Sequence, residues 1–334
     1  MSETLFEPAN DPAAWTSEEV GGKAGLQRTL DQTELAAIDR FLADMGDREP
    51  TSITRDDVTD PVLHKIADDV REQIMHGRGA MVLSGFDMAT HDLKQFERIY
   101  WAIGIQLGQP VVQSYRGDLI GYVQKEENNP TGRGYLMDVE LRPHTDFHEV
   151  MSLSSVRTAP EGGESGVVSS LGVHDIILKE RPDLLPALYE GFYHASGADS
   201  VSEKKVPIFA RVDGKLSCYF HSLFIHRAAK NMGVEVPDDL KEALAFMGSV
   251  TLRPEVRAFF VLEPGEMLFW NNFTALHSRE TFHDAPDQKR LLLRLWVHAD
   301  EGRPMPDLFR ERARIMDAQH QAGKAAINYV AEPA

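Results

Sequence analysis

The residues best able to do chemistry in this sequence are a histidine and an acid two positions apart, His144 and Asp146, in the stretch LRPHTDFH. Pro143 imposes extended geometry on the residue before it, and the apolar pattern from Phe147 to Val156 predicts a strand. Because side chains two apart on a strand share one face, we expect His144 and Asp146 to point the same way. An imidazole and a carboxylate are two of the three ligands in the 2-His-1-carboxylate sites that bind non-haem Fe(II).

A His-x-acid triplet is weak evidence by itself. With 13 histidines and 52 acidic residues among 334 positions, chance alone predicts about two such triplets. Two occur, one at His144 and the other at His298-Ala299-Asp300. Only His320 follows the second triplet as a further histidine, so we interpret that triplet as chance. For His144, a surface histidine in a loop is the alternative until partners are found.

The partner expected for the first triplet is His277, in the run FWNNFTALHSR, which we place near a strand end. Arg290 and Arg294 follow within RLLLRLW, and their even separation places both on one face of a strand. Two cations on an inward face are costly unless they meet anions, and the guanidinium group is well shaped to hold a carboxylate. The alternative is that both arginines pair with structural acids.

Composition limits the partners of the chain. Its 334 residues are 42% hydrophobic and 26% charged, with a formal net charge of −17. This charge argues against nucleic acid and anionic membrane surfaces as partners. Cys218 is the only cysteine, which excludes an intrachain disulfide and Cys-rich metal sites. No signal-peptide region and no apolar run of the roughly 20 residues that a membrane span needs are present, so we expect a cytoplasmic protein.

The elements that must position these residues change in kind along the chain. Helical periodicity prevails in the first 110 residues, where Asp31 to Glu34 resembles a capping box and Pro61 a helix start. From about residue 111 the apolar period shortens to that of strands. We predict helices at 31–45, 61–76, 93–107, 173–189 (interrupted at Pro182), 237–247 and 307–321. We predict strands at 80–86, 119–123, 147–156, 166–169, 216–220, 257–262 and 290–298.

One connection between predicted strands has a clear turn signal. Glu263-Pro264-Gly265-Glu266 carries Pro and Gly at the central positions of a type II turn, so we predict a hairpin joining Phe259–Leu262 to Met267–Trp270. Helices followed by many short strands with helical insertions fit an α+β chain, with a β-sandwich or jelly roll flanked by helices. They do not fit alternating βαβ units, and no Gly-rich phosphate loop is present.

The ordered set of motifs resembles the Fe(II)/2-oxoglutarate dioxygenases of the taurine dioxygenase (TauD/TfdA) and clavaminate synthase-like group. The likeness covers roughly residues 80 to 300, and the combination is specific although each piece is not. The motifs that carry it are Gly162-Gly163-Glu164-Ser165, His144-x-Asp146, Trp270-Asn271-Asn272 with His277, and then Arg290 and Arg294.

The resemblance implies a double-stranded β-helix (jelly roll) core flanked by N-terminal and inserted helices. It implies three iron ligands, His144, Asp146 and His277. It also implies that Arg290 holds the distal carboxylate of 2-oxoglutarate, and that Ser165 hydrogen-bonds the same carboxylate. Arg294 matches a position that binds an anionic group of the substrate in several relatives.

The activity that the resemblance implies is an Fe(II)- and 2-oxoglutarate-dependent oxygenase that uses O2 and releases succinate and CO2. The carboxylate ligand Asp146 favours hydroxylation, because halogenases of this group lack it. Desaturation, ring closure and oxidative cleavage stay open. We expect a small-molecule substrate, either anionic or amino-acid-like, and leave open whether the chain forms a homo-oligomer.

We predict one oxygenase domain over residues 1–334. Its parts are a mainly helical region (1–110), the jelly-roll core with helical insertions (111–300) and a C-terminal helix and tail (301–334). Two alternatives use the same metal ligands, a zinc-dependent hydrolase and a non-catalytic jelly-roll binding protein. The period places His148 on the iron-facing side, where support of the metal site and simple packing are equally open. His221 lies in a segment that either lines a substrate pocket or sits on a helix.

Overall fold

The computed structural model describes residues 6–114, 116–129, 134–195 and 201–322. The α-helices are α1 (Ser17–Val20), α2 (Gly22–Leu26), α3 (Gln32–Met45), α4 (Pro61–Met75), α5 (Leu93–Leu107), α6 (Ser170–Glu180), α7 (Leu185–Glu190), α8 (Ser222–Met232), α9 (Asp238–Thr251) and α10 (Asp307–Gln321). The strands are β1 (Gln27–Thr29), β2 (Ala80–Ser84), β3 (Gly108–Pro110), β4 (Gly121–Val123), β5 (Leu141–His144), β6 (Val150–Arg157), β7 (Glu161–Gly162), β8 (Ser165–Ser169), β9 (Phe209–Val212), β10 (Lys215–Cys218), β11 (Ala258–Phe260), β12 (Met267–Asn271), β13 (Ala275–Arg279), β14 (Phe282–His283) and β15 (Leu291–Ala299).

Two sheets form the core of the fold. The large sheet has the order β1-β2-β12-β6-β15-β3, with β4 also paired to β15. The small sheet has the order β11-β8-β13-β5. Strand pairs in both sheets are antiparallel, except for the parallel pair β1 and β2.

Alternation along the strands explains how helices cover both outer faces. On β12, Phe269 packs in a core cluster with residues of α3, α4 and α5. Its neighbour Trp270 points the other way and packs with Ala275 of the small sheet. On β13, Leu276 packs with residues of α6, α8 and α9. The result is four layers, helices, large sheet, small sheet and helices, and the predicted α+β class with a jelly-roll sandwich core is confirmed.

Local signals in the sequence predicted α3, α4 and α5 correctly. Asp31 and Glu34 form the expected capping box at the start of α3. Pro61 occupies the first turn of α4, where the Asp60 side chain accepts a hydrogen bond from the backbone of Val62. A capping box between Asp92 and Gln95 also begins α5. The helices α1, α2 and α8 were not predicted, and the helix expected at 173–189 is divided near Pro182 into α6 and α7.

The predicted hairpin between Phe259 and Trp270 is wrong, although its turn is present. The Glu266 N–H donates to the Glu263 carbonyl at 2.9 Å, and Gly265 has a φ of +88°, as a type II turn requires. However, β11 pairs with β8 in the small sheet, whereas β12 pairs with β2 and β6 in the large sheet. Both strands consist largely of apolar residues, so their pattern did not reveal that the turn connects two sheets.

The domain boundaries stay a prediction, and residues 323–334 of the predicted C-terminal tail lie outside the described residues. Within the described part of the chain, no helix combines the length and the apolar composition needed to cross a membrane.

We predict that Gly265→Ala destabilises the fold by about 1–3 kcal/mol, because the backbone there is strained for an L side chain. The added Cβ would also lie 2.1 Å from the carbonyl oxygen of Phe86. Urea unfolding measures the loss. The matched control is Gly248→Ala in α9, where nothing lies within 4 Å of the added Cβ and helix propensity predicts a gain of about 0.5–1 kcal/mol. Equal effects of the two substitutions would contradict the prediction.

Candidate active site

The cross-strand pairing of β5 and β13 brings two histidines together. His277 lies in the middle of β13, and its Cα partner on β5 is His144. The two ring centroids are 4.2 Å apart. Leu276 faces the helices outside the small sheet, so alternation turns His277 into the space between the sheets, where its ring lies 4.8 Å from that of Trp270. Residues far apart in the chain thus meet as direct neighbours.

Asp146 joins the histidines from a connection rather than from the expected strand. β5 ends at His144 and β6 begins only at Val150, so the prediction of one strand for both residues is wrong. The chain leaves the small sheet here to enter the large one. The Thr145 N–H donates to the carbonyl of Phe220 at 2.7 Å, and the Asp146 N–H donates to Asn272 Oδ1 at 2.9 Å. These hydrogen bonds hold the connection in place.

The resulting geometry suits a metal ion. Asp146 Oδ1 lies 4.0 Å from His144 Nε2, and Oδ2 lies 3.8 Å from His277 Nε2. One ligand atom from each residue can be chosen so that all three lie within 4.8 Å of one another. The side chains of His144, Asp146 and His277 are 14%, 17% and 15% exposed. The site is therefore largely desolvated but not closed.

The protonation states also suit metal binding. His144 Nδ1 lies 2.7 Å from the carbonyl of Arg142, so this nitrogen donates and Nε2 keeps its lone pair for the site. Burial lowers the pKa of His277 to about 3, which leaves a neutral imidazole at pH 7. Burial alone would raise the pKa of Asp146, but the positive charges that His277 and His144 carry when protonated, together with that of Arg294, lower it to about 2. Neutral imidazole and anionic carboxylate are the forms that bind metals.

Arg290 lies in a different part of the interior, just before β15. Its guanidinium donates to the carbonyl of Gly163 at 3.4 Å and lies over the ring of Phe282. Among the described residues, Nη1 is buried and has no hydrogen-bond partner. Burial, and then the nearby Arg279, lower the pKa of Arg290 to about 9. Among the described residues no acid forms an ion pair with the Arg290 guanidinium, and Asp284 accepts from the Arg290 backbone N–H.

Gly163 makes room for the Arg290 side chain. It has a φ of +80°, and a Cβ added there would lie 2.9 Å from Arg290 Nε. Ser165 follows two residues later as the first residue of β8, 3% exposed and paired with Arg279 across the sheet. A small cavity next to Arg290 is lined by Gly162, Gly163, Ser155 and Leu292, among others. The cavity measures about 10 Å³, about the room for one water molecule, so it marks free space next to the buried cation and is not a complete ligand pocket.

Arg294 is held by contacts that the sequence did not predict. Its Nε donates to Gln113 Oε1 at 2.8 Å, and its guanidinium lies 4.3 Å from the ring centre of Tyr135 and 4.5 Å from that of Trp296. Gln113 in turn donates to the carbonyls of Leu119 and Arg294. The positive charge of Arg294 contributes to the low pKa of Asp146, so Arg294 acts on the histidine site whereas Arg290 lies among Gly163 and Phe282.

His221 adds a third imidazole next to the site. It lies at the N-cap position of α8, without a capping hydrogen bond from its side chain, and its ring lies 4.9 Å from that of His144 and 4.0 Å from that of Phe224. Burial lowers its pKa well below the ordinary value, so it is neutral. The position agrees with the helix alternative, and a role in lining a substrate pocket stays a prediction.

The second His-x-acid triplet is divided between two contacts. Asp300 pairs with Arg55 at 2.7 Å on the surface. His298 instead lies 2.9 Å from Asp317 on α10, which also approaches His148 at 3.2 Å. The expectation that His298 could not be completed into a cluster is therefore wrong. The sequence could not reveal this cluster, because its residues come from three separate elements.

Known proteins resemble this chain both in sequence and in fold. Residues 46–296 match the model of the family described as "Taurine catabolism dioxygenase TauD, TfdA family". The chain belongs to this family. The predicted family and the predicted enzyme class, a dioxygenase, are thereby confirmed.

Two curated proteins match over nearly the whole chain. One is the FR-33289 synthase of Streptomyces rubellomurinus, 28% identical over 92% of this chain and 95% of its own length. The other is the taurine hydroxylase-like protein SAT17 of Stachybotrys chartarum, 24% identical over 97% of this chain and 88% of its own.

Two solved structures share the fold. Asparagine oxygenase in complex with Fe(II), 2S,3S-3-hydroxyasparagine and succinate superposes with a TM-score of 0.66 at 16% identity, covering 82% of this chain and 93% of that one. The non-heme iron oxygenase OrfP in complex with Fe and alpha-ketoglutaric acid gives 0.60 at 17% identity, covering 90% and 99%. At these identities the likeness concerns the fold.

We predict that Asn272→Ala weakens Fe(II) binding by about 10–100-fold, the usual cost of removing a group that orients a ligand. Its side chain holds the Asp146 backbone. Equilibrium titration with Fe(II) under argon measures the change. The control is Asn271→Ala, whose side chain is equally buried and accepts from Phe273 N–H instead. An equal loss of Fe(II) affinity in both variants would show that Asn272 only supports the fold.

Proposed function

We propose that this protein is an Fe(II)- and 2-oxoglutarate-dependent oxygenase that hydroxylates a C–H bond of a small, anionic or amino-acid-like metabolite. One observation carries the proposal. His144, Asp146 and His277 present ligand atoms within 4.8 Å of one another, in an interior that also contains the buried, unpaired Nη1 of Arg290. Membership of a dioxygenase family supports this assignment.

In this proposal His144, Asp146 and His277 hold the iron. The donor set of two imidazoles and one carboxylate fits Fe(II) and leaves three of six positions for other ligands. When bound, Fe(II) with 2-oxoglutarate and O2 supplies the oxidation, in which one oxygen atom enters the substrate, the other enters succinate, and CO2 is released. The protein fixes the ligands through the Asn272 and Arg142 contacts, and its aromatic surroundings limit the access of water.

Arg290 is the proposed partner of the distal carboxylate of 2-oxoglutarate. A carboxylate within reach of Nη1 would give the buried guanidinium the anion that the described residues do not provide. Ser165 is proposed as a hydroxyl donor to the same carboxylate. Its burial at the start of β8, two residues from Gly163, supports that role.

Arg294 is the proposed contact for an anionic group of the substrate. Its guanidinium lies over the rings of Tyr135 and Trp296, and its positive charge lowers the pKa of Asp146, so a buried cation lies close to the proposed iron ligands. The solved structures with this fold contain amino-acid products, hydroxyasparagine in one and (3S)-hydroxy-L-Arg in another, which supports an amino-acid-like substrate here.

The zinc-dependent hydrolase and the non-catalytic binding protein have no observation of their own in their favour. Neither requires a buried arginine beside a cavity, and the family is one of dioxygenases. A cytoplasmic location stays a prediction.

The test of the proposed activity is an anaerobic titration with Fe(II) and 2-oxoglutarate, followed by the visible metal-to-ligand charge-transfer band. We expect the band in the wild type. Asp146→Ala should lose it at any 2-oxoglutarate concentration, because the only anionic iron ligand is gone.

Arg290→Ala should keep Fe(II) binding and require more 2-oxoglutarate. The loss of one partner of a buried charged pair costs about 2–5 kcal/mol, or roughly 30-fold to a few thousand-fold in affinity. Arg294→Ala is the matched control and should change 2-oxoglutarate affinity far less. A band in Asp146→Ala, or equal effects of the two arginine substitutions, would reject these roles.

The substrate class is tested with a panel of small acids, amino acids and their neutral amides, scored by the succinate formed in the presence of O2. We expect carboxylates to stimulate turnover and their amides not to, because Arg294 requires an anion. Arg294→Ala should raise KM for those acids by about 10-fold or more, the scale of a lost charged hydrogen bond. If only neutral or cationic compounds stimulate turnover and Arg294→Ala leaves their kinetics unchanged, the proposed substrate class is wrong.

A further inference from the structure

A second group of histidines and a carboxylate lies next to the proposed iron site. It consists of His148, His298 and Asp317. Asp317 Oδ2 lies 2.9 Å from His298 Nε2, and Asp317 Oδ1 lies 3.2 Å from His148 Nε2. The two imidazole rings meet edge to face, with centroids 4.9 Å apart. Each residue can offer one ligand atom within 4.8 Å of the others, so the geometry repeats that of the first group with different residues.

His148 is the residue that needs an explanation. Its side chain is 0% exposed, and within the described part of the chain neither ring nitrogen makes a hydrogen bond. Its Nε2 instead lies 3.2 Å from the carboxylate oxygen Oδ1 of Asp317. Buried polar groups are nearly always paired, and an unpaired one indicates a role or a missing ion. A metal ion takes a lone pair from each ligand and does not need N–H···O alignment between them.

Three separate elements fix the positions of these ligands. His148 lies on the connection between β5 and β6, His298 near the end of β15, and Asp317 on α10. The His148 ring also packs 5.2 Å from that of Trp296, which is fully buried. Ligands held by a strand, a helix and a packed ring are preorganised, and preorganisation is what a metal site needs.

Two members of the cluster, His148 and His298, line a cavity. Its volume is about 410 Å³, and Glu149, Arg310, Arg314 and six further residues complete its lining. Metal sites that bind water or a ligand have three protein ligands and one open position. The cavity provides that open position, and the two arginines favour an anion there.

We propose that His148, His298 and Asp317 form a second metal site, distinct from the proposed iron site, that takes a Zn²⁺-class divalent cation with its open position toward the cavity. Two imidazoles and one carboxylate suit such cations, whereas Ca²⁺ and Mg²⁺ prefer oxygen ligands. The competing explanation is that Asp317 alone, shared by two imidazoles, fastens α10 to the sandwich. The two explanations differ in what Zn²⁺ does to the protein.

The first experiment counts bound metal in the full chain after the proposed iron site has been removed. The background is the double variant His144→Ala with Asp146→Ala, which leaves His277 as the only member of the first group. Calorimetric titration with Zn²⁺ should give one equivalent in this background. Adding His298→Gln or Asp317→Asn should weaken that equivalent by about 100-fold or more, since a ligand is lost. No bound equivalent in the background, or an unchanged one after these substitutions, would overturn the proposal.

The control is a histidine–aspartate pair without a third ligand. His91 Nε2 lies 3.0 Å from Asp39 Oδ1, and neither residue belongs to a group that could hold a metal. His91→Gln in the same background should leave the Zn²⁺ equivalent unchanged. If it removes the equivalent as His298→Gln does, binding is not specific to the proposed site and the proposal fails.

A second measurement, of Tm with and without Zn²⁺, distinguishes a metal site from a cluster that only attaches α10 to the sandwich. Zn²⁺ should raise the Tm of the background variant and leave that of its His298→Gln derivative unchanged. The side chain of His298 is 42% exposed, so this variant tests the site even if Asp317→Asn fails to fold. If the cluster is only a fastening, Zn²⁺ leaves the Tm unchanged in the background as well, which would reject the proposal.

Discussion

The pairing of His144 with His277 across two strands is the constraint on which the rest of the site depends. In an antiparallel sheet a shift of one residue turns every side chain to the opposite face. Here such a shift would exchange His277 with Leu276, which packs against helices outside the small sheet. The apolar face of β13 thus fixes the register, and the register brings the two imidazoles to 4.2 Å. Hydrophobic packing against the helices is therefore what places the two proposed metal ligands side by side.

Burial of three arginine side chains costs this interior free energy, because each positive charge is removed from water. Arg279, Arg290 and Arg294 are each less than 8% exposed, and each lies over an aromatic ring. Aromatic faces and backbone carbonyls offset part of the desolvation. Arg279, for example, donates to the carbonyls of Met137 and Val139. Even so, two donors of Arg279, Nε and Nη1, and one donor of Arg290, Nη1, have no hydrogen-bond partner among the described residues. What distinguishes Arg290 is the cavity beside it, which Arg279 does not line.

What the sequence could predict depended on how local the signal was. The capping box at Asp31 and the type II turn at Gly265 involve neighbouring residues, and both were predicted correctly. The predicted hairpin was wrong because each of its strands pairs with strands distant in the sequence, and several strands have similar apolar patterns. The prediction of a strand through Asp146 was wrong because the Asp146 N–H donates to Asn272 Oδ1, on a residue 126 positions away. Alternation within β15 did predict that Leu292 faces one side and Leu293 the other, since that pattern requires only one strand.

The segment from His144 to His148 contributes side chains of metal-ligand type to two neighbouring clusters. The polar and charged groups of the two clusters therefore lie close together, and Trp296 is the residue that separates them. Its fully buried ring contacts Arg294 at 4.5 Å, His148 at 5.2 Å and Phe147 at 6.4 Å. An aromatic side chain packed between charged groups keeps water out and holds each group in one position. The inner face of β15 therefore presents Leu292, Arg294 and Trp296 in turn, because this strand carries a cation to the interior and also supplies the apolar ring that separates it from the second cluster.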